Sequence, residues 1–159
     1  MSERPADLPL SCEIKDYSVL HIWTEVKQSD EGEKAISIRP EVRITIGERD
    51  YKAFILCNYE IDKFKFECAI EGSFRFGEPI SNTNAGNAWT NACTMLYGIM
   101  RGLFSTAVSQ AIHKSYYLPS VMMANFVNRR IEEQKKQSED AAAAKAQETK
   151  TISQQKVVG

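Results

Sequence analysis

The chain has 159 residues, of which 43% are hydrophobic and 26% are charged, and its formal net charge at pH 7 is -1. This balance predicts one soluble globular domain with short extensions. It argues against a nucleic-acid-binding protein, because the basic residues are mixed with acids rather than gathered into a patch. The segment from Met1 to Pro9 carries charges and prolines instead of an apolar signal region, so a cytoplasmic location is expected.

Alternation of apolar and polar residues predicts four β-strands in the first half of the chain. The first strand starts at Leu10 and shifts phase near Asp16, which indicates a bulge or a bend. The second is interrupted by Pro40, which cannot donate a ladder hydrogen bond. Asp62-Lys63 is short enough to join the third and fourth strands as a hairpin, and Gly72 predicts a bulge in the fourth.

A long apolar helix is predicted from Asn84 to Lys114, covering the apolar face of the sheet. It is apolar nearly all round, so it needs partners on more than one side. Roughly 28 residues at about 1.5 Å each make a rod of about 42 Å, which is longer than a domain of this size can bury alone. We therefore expect oligomerisation through this helix. The predicted interface residues are Trp89, Leu96, Met100 and Leu103.

Small residues in the same helix have two interpretations. Ala88, Ala92, Gly98 and Gly102 would let a second helix approach closely, in keeping with oligomerisation. Alternatively, the two glycines only mark a bend or break in a core helix.

A second, shorter helix is predicted to begin near Ser120. From Gln134 to Gly159 the composition is polar and alanine-rich without an apolar stripe, which predicts a mobile tail. The predicted organisation is a flexible N-terminus over residues 1–9, one folded domain over residues 10–133, and the tail over residues 134–159.

Residues that would carry catalysis or bind a metal are not grouped in this sequence. The four cysteines have no paired spacing, which favours buried thiols over a zinc site or disulfides. Neither His21 nor His113 has a carboxylate or cysteine at a spacing that suggests a nucleophile, an acid-base pair or a metal ligand set. No glycine-rich phosphate loop is present. The sequence therefore predicts a protein that is not an enzyme and needs no cofactor or metal.

Several short motifs, in order, resemble the SecB chaperone family over residues 10–133. In the sheet region they are Pro40-Glu41-Val42 and Phe66-x-Cys68-x3-Gly72-x-Phe74. In the helical half they are Leu96-Tyr97-x3-Arg101, Val108-Ser109 and Leu118-Pro119-x-Val121. The resemblance implies an α+β subunit with a four-stranded antiparallel sheet, a long helix and a shorter C-terminal helix, assembled as a tetramer that is a dimer of dimers.

The function implied by this resemblance is that of an ATP-independent holdase, which binds unfolded client polypeptides in apolar grooves. The groove would be lined by the connection after the first strand, by the sheet and by the second helix. The expected client-binding residues are Trp23, Ile38, Val42, Phe74, Val121, Met122 and Phe126. Methionine suits such a surface because its side chain repacks easily. The alternative for Val42 and Phe74 is a place in the core.

Two departures from the export chaperones concern the SecA motor. His21-Ile22-Trp23-Thr24-Glu25 stands where those proteins have Asp-Ile-Ser-Phe-Glu, and Phe66-Glu67-Cys68-Ala69 stands where they have Phe-Leu-Cys-Glu. Two acids that help to dock SecA are thus replaced. The tail from Ala141 onward is slightly basic instead of acidic.

These departures favour the branch of SecB-like chaperones that protects the antitoxin of a toxin-antitoxin system. One alternative is a general export chaperone that hands preproteins to SecA. A second, from another class, is a structural or adaptor oligomer whose aromatic faces are buried between subunits. A small-molecule-binding domain is a weaker alternative.

Overall fold

A computed structural model describes residues 12–28, 34–112 and 116–155, and it has the predicted α+β architecture. Its elements are β1 (Cys12–Val26), β2 (Ala35–Arg43), β3 (Asp50–Ile61), β4 (Phe64–Phe76), α1 (Ala85–Ile112) and α2 (Met123–Gln155). The four strands form one sheet in the spatial order β1-β4-β3-β2, with every neighbouring pair antiparallel. Strands β1 and β2 are therefore the two edges.

One of the three irregularities predicted within the strands is present, and the predicted interruption at Pro40 is wrong because β2 pairs with β3 through this residue without a break. The β1–β4 register slips between Ile14 and Asp16, as the phase shift predicts, and slips again between Val19 and His21. Asp62 takes a positive φ of 48° in the two-residue turn from β3 to β4, a conformation that aspartate tolerates better than most residues. The predicted bulge at Gly72 is wrong, because both ladders of β4 run through this residue without a shift.

Helix α1 packs on one face of the sheet, which we call the helix face. The ring of Phe104 lies 5.0 Å from that of Phe66, 5.4 Å from that of Tyr59 and 6.0 Å from that of Phe64, between centroids. Tyr51 Oη donates a 2.7 Å hydrogen bond to the carbonyl oxygen of Ala88. These buried contacts between α1 and the two central strands form the hydrophobic core.

The predicted oligomer-interface residues require a correction. Leu96 and Met100 are fully buried in the single chain and Trp89 is only 5% exposed, so these three side chains belong to the core of the subunit. Their spacing marked the stripe of α1 that faces its own sheet. Leu103 is partly exposed. Oligomerisation itself remains a prediction, but other residues would have to carry it.

The C-terminal helix is longer than predicted. Helix α2 has 33 residues and continues to Gln155, through the segment predicted as a tail, whereas α1 has 28. Alanine, glutamate, lysine and glutamine are strong helix formers, and pairs such as Arg130 with Glu133, 3.1 Å apart, add support where no apolar stripe exists.

The chain divides into two compact units, one ending at Val127 and the other beginning at Asn128. The predicted boundary at residue 133 and the mobility of the tail remain predictions, and residues 1–9 lie outside the described residues. In the described part of the chain, no helix is long and apolar enough to cross a membrane.

Candidate functional site

Strand β1 exposes more large apolar side chains than any other element of the described structure. Six of the nine such residues belong to it: Tyr17, Val19, Leu20, Ile22, Trp23 and Val26. Ile22 lies opposite Cys68, on the helix face, whereas Trp23 lies opposite Glu67, on the outer face of the sheet. Most of the exposed apolar side chains of this edge strand therefore lie on the helix face, and Trp23 stands among polar residues on the outer face.

The other edge of the sheet is better protected. In β2, Pro40 removes one donor, and Arg39 Nε lies 3.0 Å from Glu41 Oε1 on the exposed strand. Proline and charged side chains are common means of preventing an edge strand from pairing with other chains. The contrast identifies β1 as the edge that is suited to contact another polypeptide.

A hollow on the outer face of the described sheet, which we call the Trp23 hollow, has a volume of about 340 Å³. Trp23 of β1 and Ser37 of β2 lie on opposite sides of it, and Asn58 and Lys65 of the central strands lie between them. Its complete lining is Trp23, Ala35, Ile36, Ser37, Asn58, Tyr59, Glu60, Lys65 and Phe66. The indole of Trp23 is 45% exposed, so a large apolar surface is available beside polar groups. This arrangement can bind an apolar side chain and also hydrogen-bond to a peptide backbone.

The second hollow, which we call the Lys52 hollow, has a volume of about 270 Å³ and lies toward the other end of β3. It is lined by Glu41, Val42, Arg43, Lys52, Ala53, Phe54 and Glu71. Lys52 Nζ lies 4.0 Å from Glu71 Oε1, at the limit of an ion pair. Between the two hollows, half-buried Leu56 lies opposite buried Ala69. The outer face therefore has an apolar centre with charged groups around it.

The seven predicted client-binding residues do not form one surface. Trp23 is exposed on the outer face. Ile38 and Phe74 are 8% and 0% exposed and lie in the core, so they cannot contact a client in the folded chain, and this part of the prediction is wrong. Val42 is partly exposed and lines the Lys52 hollow.

The remaining three predicted residues lie just before α2 and in its first turn. Met122 is 72% exposed, and Val121 and Phe126 are partly exposed. The residues that sequence reasoning missed are those of the outer face, notably Phe54, Leu56 and Asn58. The signal was present, since these residues alternate with the core-facing residues of β3 and include apolar side chains on a face that could have been fully polar.

The two positions that differ from the export chaperones are neighbours in the structure. His21 lies directly opposite Ala69 across the β1–β4 ladder, on the outer face. His21 Nε2 is 2.9 Å from Glu67 Oε1, so the histidine that stands at the position of an acid is itself paired with an acid on the neighbouring strand. The prediction for His113 lies outside the described residues.

The buried thiols are poor nucleophiles and poor metal ligands. Cys57 and Cys68 lie opposite each other in the β3–β4 ladder, and burial raises their pKa values to about 12 and about 11, respectively. Burial also raises the pKa of Cys93 to about 12. These thiols stay protonated at neutral pH, whereas the thiolate is the reactive form. Among the described residues, no group of three His, Cys, Asp or Glu side chains could hold a metal ion.

Comparison with known proteins identifies the fold. No protein-family model matches the sequence, and a search of curated proteins finds no match. Among solved structures, the chain is similar to a SecB-like chaperone of Mycobacterium tuberculosis in complex with a ChAD peptide from the HigA1 antitoxin. The TM-score is 0.53 and the identity is 14%, over 69% of this chain and 90% of that chain.

A second solved structure, a protein of unknown function from Streptococcus agalactiae, matches with a TM-score of 0.51 and 10% identity, over 70% of this chain and 98% of that chain. The chain therefore has a SecB-like fold, as its sequence motifs predict.

Proposed function

We propose that this protein is an ATP-independent holdase chaperone that binds unfolded or aggregation-prone polypeptides. The observation that supports this best is the exposed apolar surface of β1, next to the Trp23 hollow on an open sheet face. An unfolded chain offers apolar side chains and unpaired backbone groups. Both can bind at such an edge, and this binding does not depend on a particular client sequence. Binding of this kind requires no catalytic group, cofactor or metal, and a cytoplasmic location is part of the proposal.

The proposed client is an antitoxin of a toxin-antitoxin system rather than an exported preprotein. Two observations favour this choice. The solved SecB-like chaperone of similar fold was captured with an antitoxin peptide. On the outer face of this chain, His21 and Ala69 occupy the two positions where the resemblance to the export chaperones implies acids for SecA docking. A general export chaperone acting with SecA is the alternative.

The active form is proposed to be a homotetramer. The exposed apolar residues of the β1 edge and the exposed side of α1 are both surfaces that a second copy could cover. On α1, a Cβ atom added to Gly98 or Gly102 would meet no other atom, so another helix could approach closely there. Light scattering of the purified chain tests this directly, and a mass near that of one subunit would contradict it.

The decisive experiment uses Trp23 as its own reporter. The chain has two tryptophans, and Trp89 is buried, so a Trp89→Phe protein carries a single exposed indole. Adding a chemically unfolded client that has no tryptophan of its own, such as reduced ribonuclease A, should shift the Trp23 emission to the blue as the indole loses water. In the wild-type background, Trp23→Ala should weaken suppression of lysozyme aggregation about tenfold, the size expected for an exposed aromatic anchor.

Tyr117→Ala is the matched control, because Tyr117 is an exposed aromatic outside the Trp23 hollow, and it should leave suppression unchanged. Met122→Ala tests the other exposed residue in the predicted set.

If the folded oligomer neither suppresses aggregation nor binds a dye for exposed apolar surface, the adaptor alternative is correct. Saturable binding of one small compound by a monomer or dimer would favour the small-molecule domain.

A further inference from the structure

The backbone of β1 faces β4 and the free edge of the sheet at alternate residues. The N–H of Lys27, just after β1, donates a 2.6 Å hydrogen bond to the carbonyl oxygen of Lys63, just before β4. Successive residues of a strand direct their N–H and C=O groups to opposite sides. Ile22, Thr24 and Val26 are odd numbers of positions from Lys27 in an unbroken register, so their backbone groups point to the free edge. The described sheet has no further strand beyond that edge.

The register slip at Leu20 limits the length of this free edge. The slip lies between Val19 and His21, so the regular ladder with β4 resumes at His21 and runs to Val26. An added strand that matches this stretch has about five or six residues and, at about 3.3 Å per residue, a length of about 17–20 Å. Bulges are one means by which sheets prevent long edge-to-edge pairing. A short segment therefore fits this edge better than a long strand does.

The side chains of Ile22, Thr24 and Val26 determine what an added strand must offer. All three lie opposite buried residues of β4, so they are on the helix face, and all three are exposed. Residues that lie directly opposite each other in a ladder place their side chains on the same face. The residues of an added strand that pair with these three would therefore have their side chains beside Ile22 and Val26. Apolar side chains at alternate positions suit this face.

The apolar area of this stretch suits a peptide better than a folded protein. Ile22, Trp23 and Val26 are between 45% and 51% exposed. At about 100 Å² for half of a large side chain, they offer about 300 Å² together. A stable interface between folded proteins buries about 800 Å² on each partner. A peptide strand adds main-chain hydrogen bonds to the apolar contact. Trp23 also lines the Trp23 hollow, so this edge is continuous with the site of the proposed function.

We propose that the edge from Ile22 to Val26 binds a proline-free client segment of about five or six residues as an added β-strand. Apolar side chains at alternate positions of the segment lie beside Ile22 and Val26, and the N–H and C=O groups of the same positions pair with β1. This inference rests on the proposed chaperone function and adds a client class to it, namely short segments with β-strand alternation. It assigns the β1 edge to the client and leaves the exposed side of α1 for the subunit contact.

The first test uses a fluorescein-labelled peptide of alternating Val and Thr, about seven residues long, with a Lys at each end. Each backbone N–H is replaced in turn by an N-methyl group, and binding to the wild-type protein is measured by anisotropy. N-methylation at Val positions should weaken binding about tenfold, because it removes a donor to β1. At Thr positions, where the N–H faces away from β1, binding should change less than about twofold. A peptide of the same composition with its Val residues grouped at one end should bind more weakly than the alternating one.

Thr24→Pro tests the edge from the side of the protein. Proline lacks the N–H that Thr24 directs to the free edge, and edge strands tolerate proline at such positions. The variant should fold but lose about tenfold in affinity for the alternating peptide. Thr24→Val is the matched control, because it changes the same side chain, keeps the N–H and should bind at least as tightly. Circular dichroism and the emission of buried Trp89 report whether the fold is kept. Where the proline variant does not fold, the N-methyl series with the wild-type protein decides.

Two results would overturn the inference. Equal effects of N-methylation at Val and Thr positions would mean that side chains alone carry the binding. Dissociation of the folded oligomer by Thr24→Pro would mean that a second copy occupies the edge. In both cases, suppression of aggregation that depends on Trp23 would leave the chaperone proposal intact. If no peptide binds and Trp23→Ala changes nothing, the chaperone proposal fails as well.

Discussion

The two faces of one sheet differ although the same four strands build both. On the helix face, the rings of Phe64 and Phe66 are buried and both pack against the buried ring of Phe104 from α1. On the outer face, alternate residues of the same strands are partly exposed and mix apolar with charged groups. Because successive side chains of a strand point to opposite faces, a single strand can contribute to stability with one set of residues and to binding with the other. Substitutions on the two faces should therefore separate stability from client binding.

The largest expected effect is on the helix face. Phe104→Ala should lower the free energy of unfolding by about 3–5 kcal/mol, because it removes a fully buried ring that three aromatic neighbours contact and leaves a cavity. Urea denaturation measures this. Tyr117→Ala, which removes an aromatic ring at an exposed position, should cost less than about 0.5 kcal/mol. Equal losses in the two variants would refute the assignment of Phe104 to the core.

A smaller contrast compares two glycines. Gly72→Ala should destabilise the fold by about 1–3 kcal/mol, because the new Cβ would lie 2.8 Å from Phe74 Cε2 and 3.0 Å from Leu96 Cδ2, in a packed core. Gly98→Ala meets open space in α1 and should stabilise the subunit by about 0.5–1 kcal/mol. Denaturation below the assembly concentration tests both. If Gly98→Ala also weakens assembly, the exposed side of α1 is the subunit contact.

The smallest effect concerns alkaline pH. Burial raises the pKa of Cys57 from 9.0 to about 12, so between these values the unfolded chain loses a proton that the folded chain keeps. Stability from this thiol is complete below pH 9 and falls as pH rises, by about 1.4 kcal/mol between pH 8 and pH 10. Cys57→Ala should reduce that fall by about this amount. Ile55→Val, a truncation on the same core face without a titrating group, should leave the pH dependence as it is.

The sequence predicted the elements better than it predicted the faces. Strict alternation and a helical period require no long-range information, so the sheet, the hairpin at Asp62 and helix α1 follow from local patterns. The assignment of Leu96 and Met100 to an interface was wrong because periodicity shows that a face is covered without showing by what. The same limit applies to Ile38 and Phe74, since a buried core residue and a groove residue have the same apolar pattern.

The site was partly predictable. Trp23 stood out as an aromatic in the first strand, and its exposure agrees with a surface role. The Lys52 hollow could not be found from sequence, because the opposition of Arg43 and Lys52 depends on the register between β2 and β3. The extent of α2 was underestimated because a polar helix supported by propensity and charge pairs lacks the apolar stripe that marks helices in sequences.

The second register slip in β1 determines which face receives Trp23. Leu20 is the extra residue, so Val19 and Ile22 both lie on the helix face although they are an odd number of positions apart, and Trp23 falls on the outer face. Deleting Leu20 would restore unbroken alternation across this point. The indole would stay on the outer face, because Ile22 and Trp23 would keep their partners Cys68 and Glu67. If the strand paired without the bulge instead, Leu20 would lie opposite Ala69, the indole would belong to the helix face and Ile22 would belong to the outer one. The bulging of Leu20 thus sets the parity of the strand, and with it the choice between a tryptophan used in binding and a tryptophan directed toward the helix.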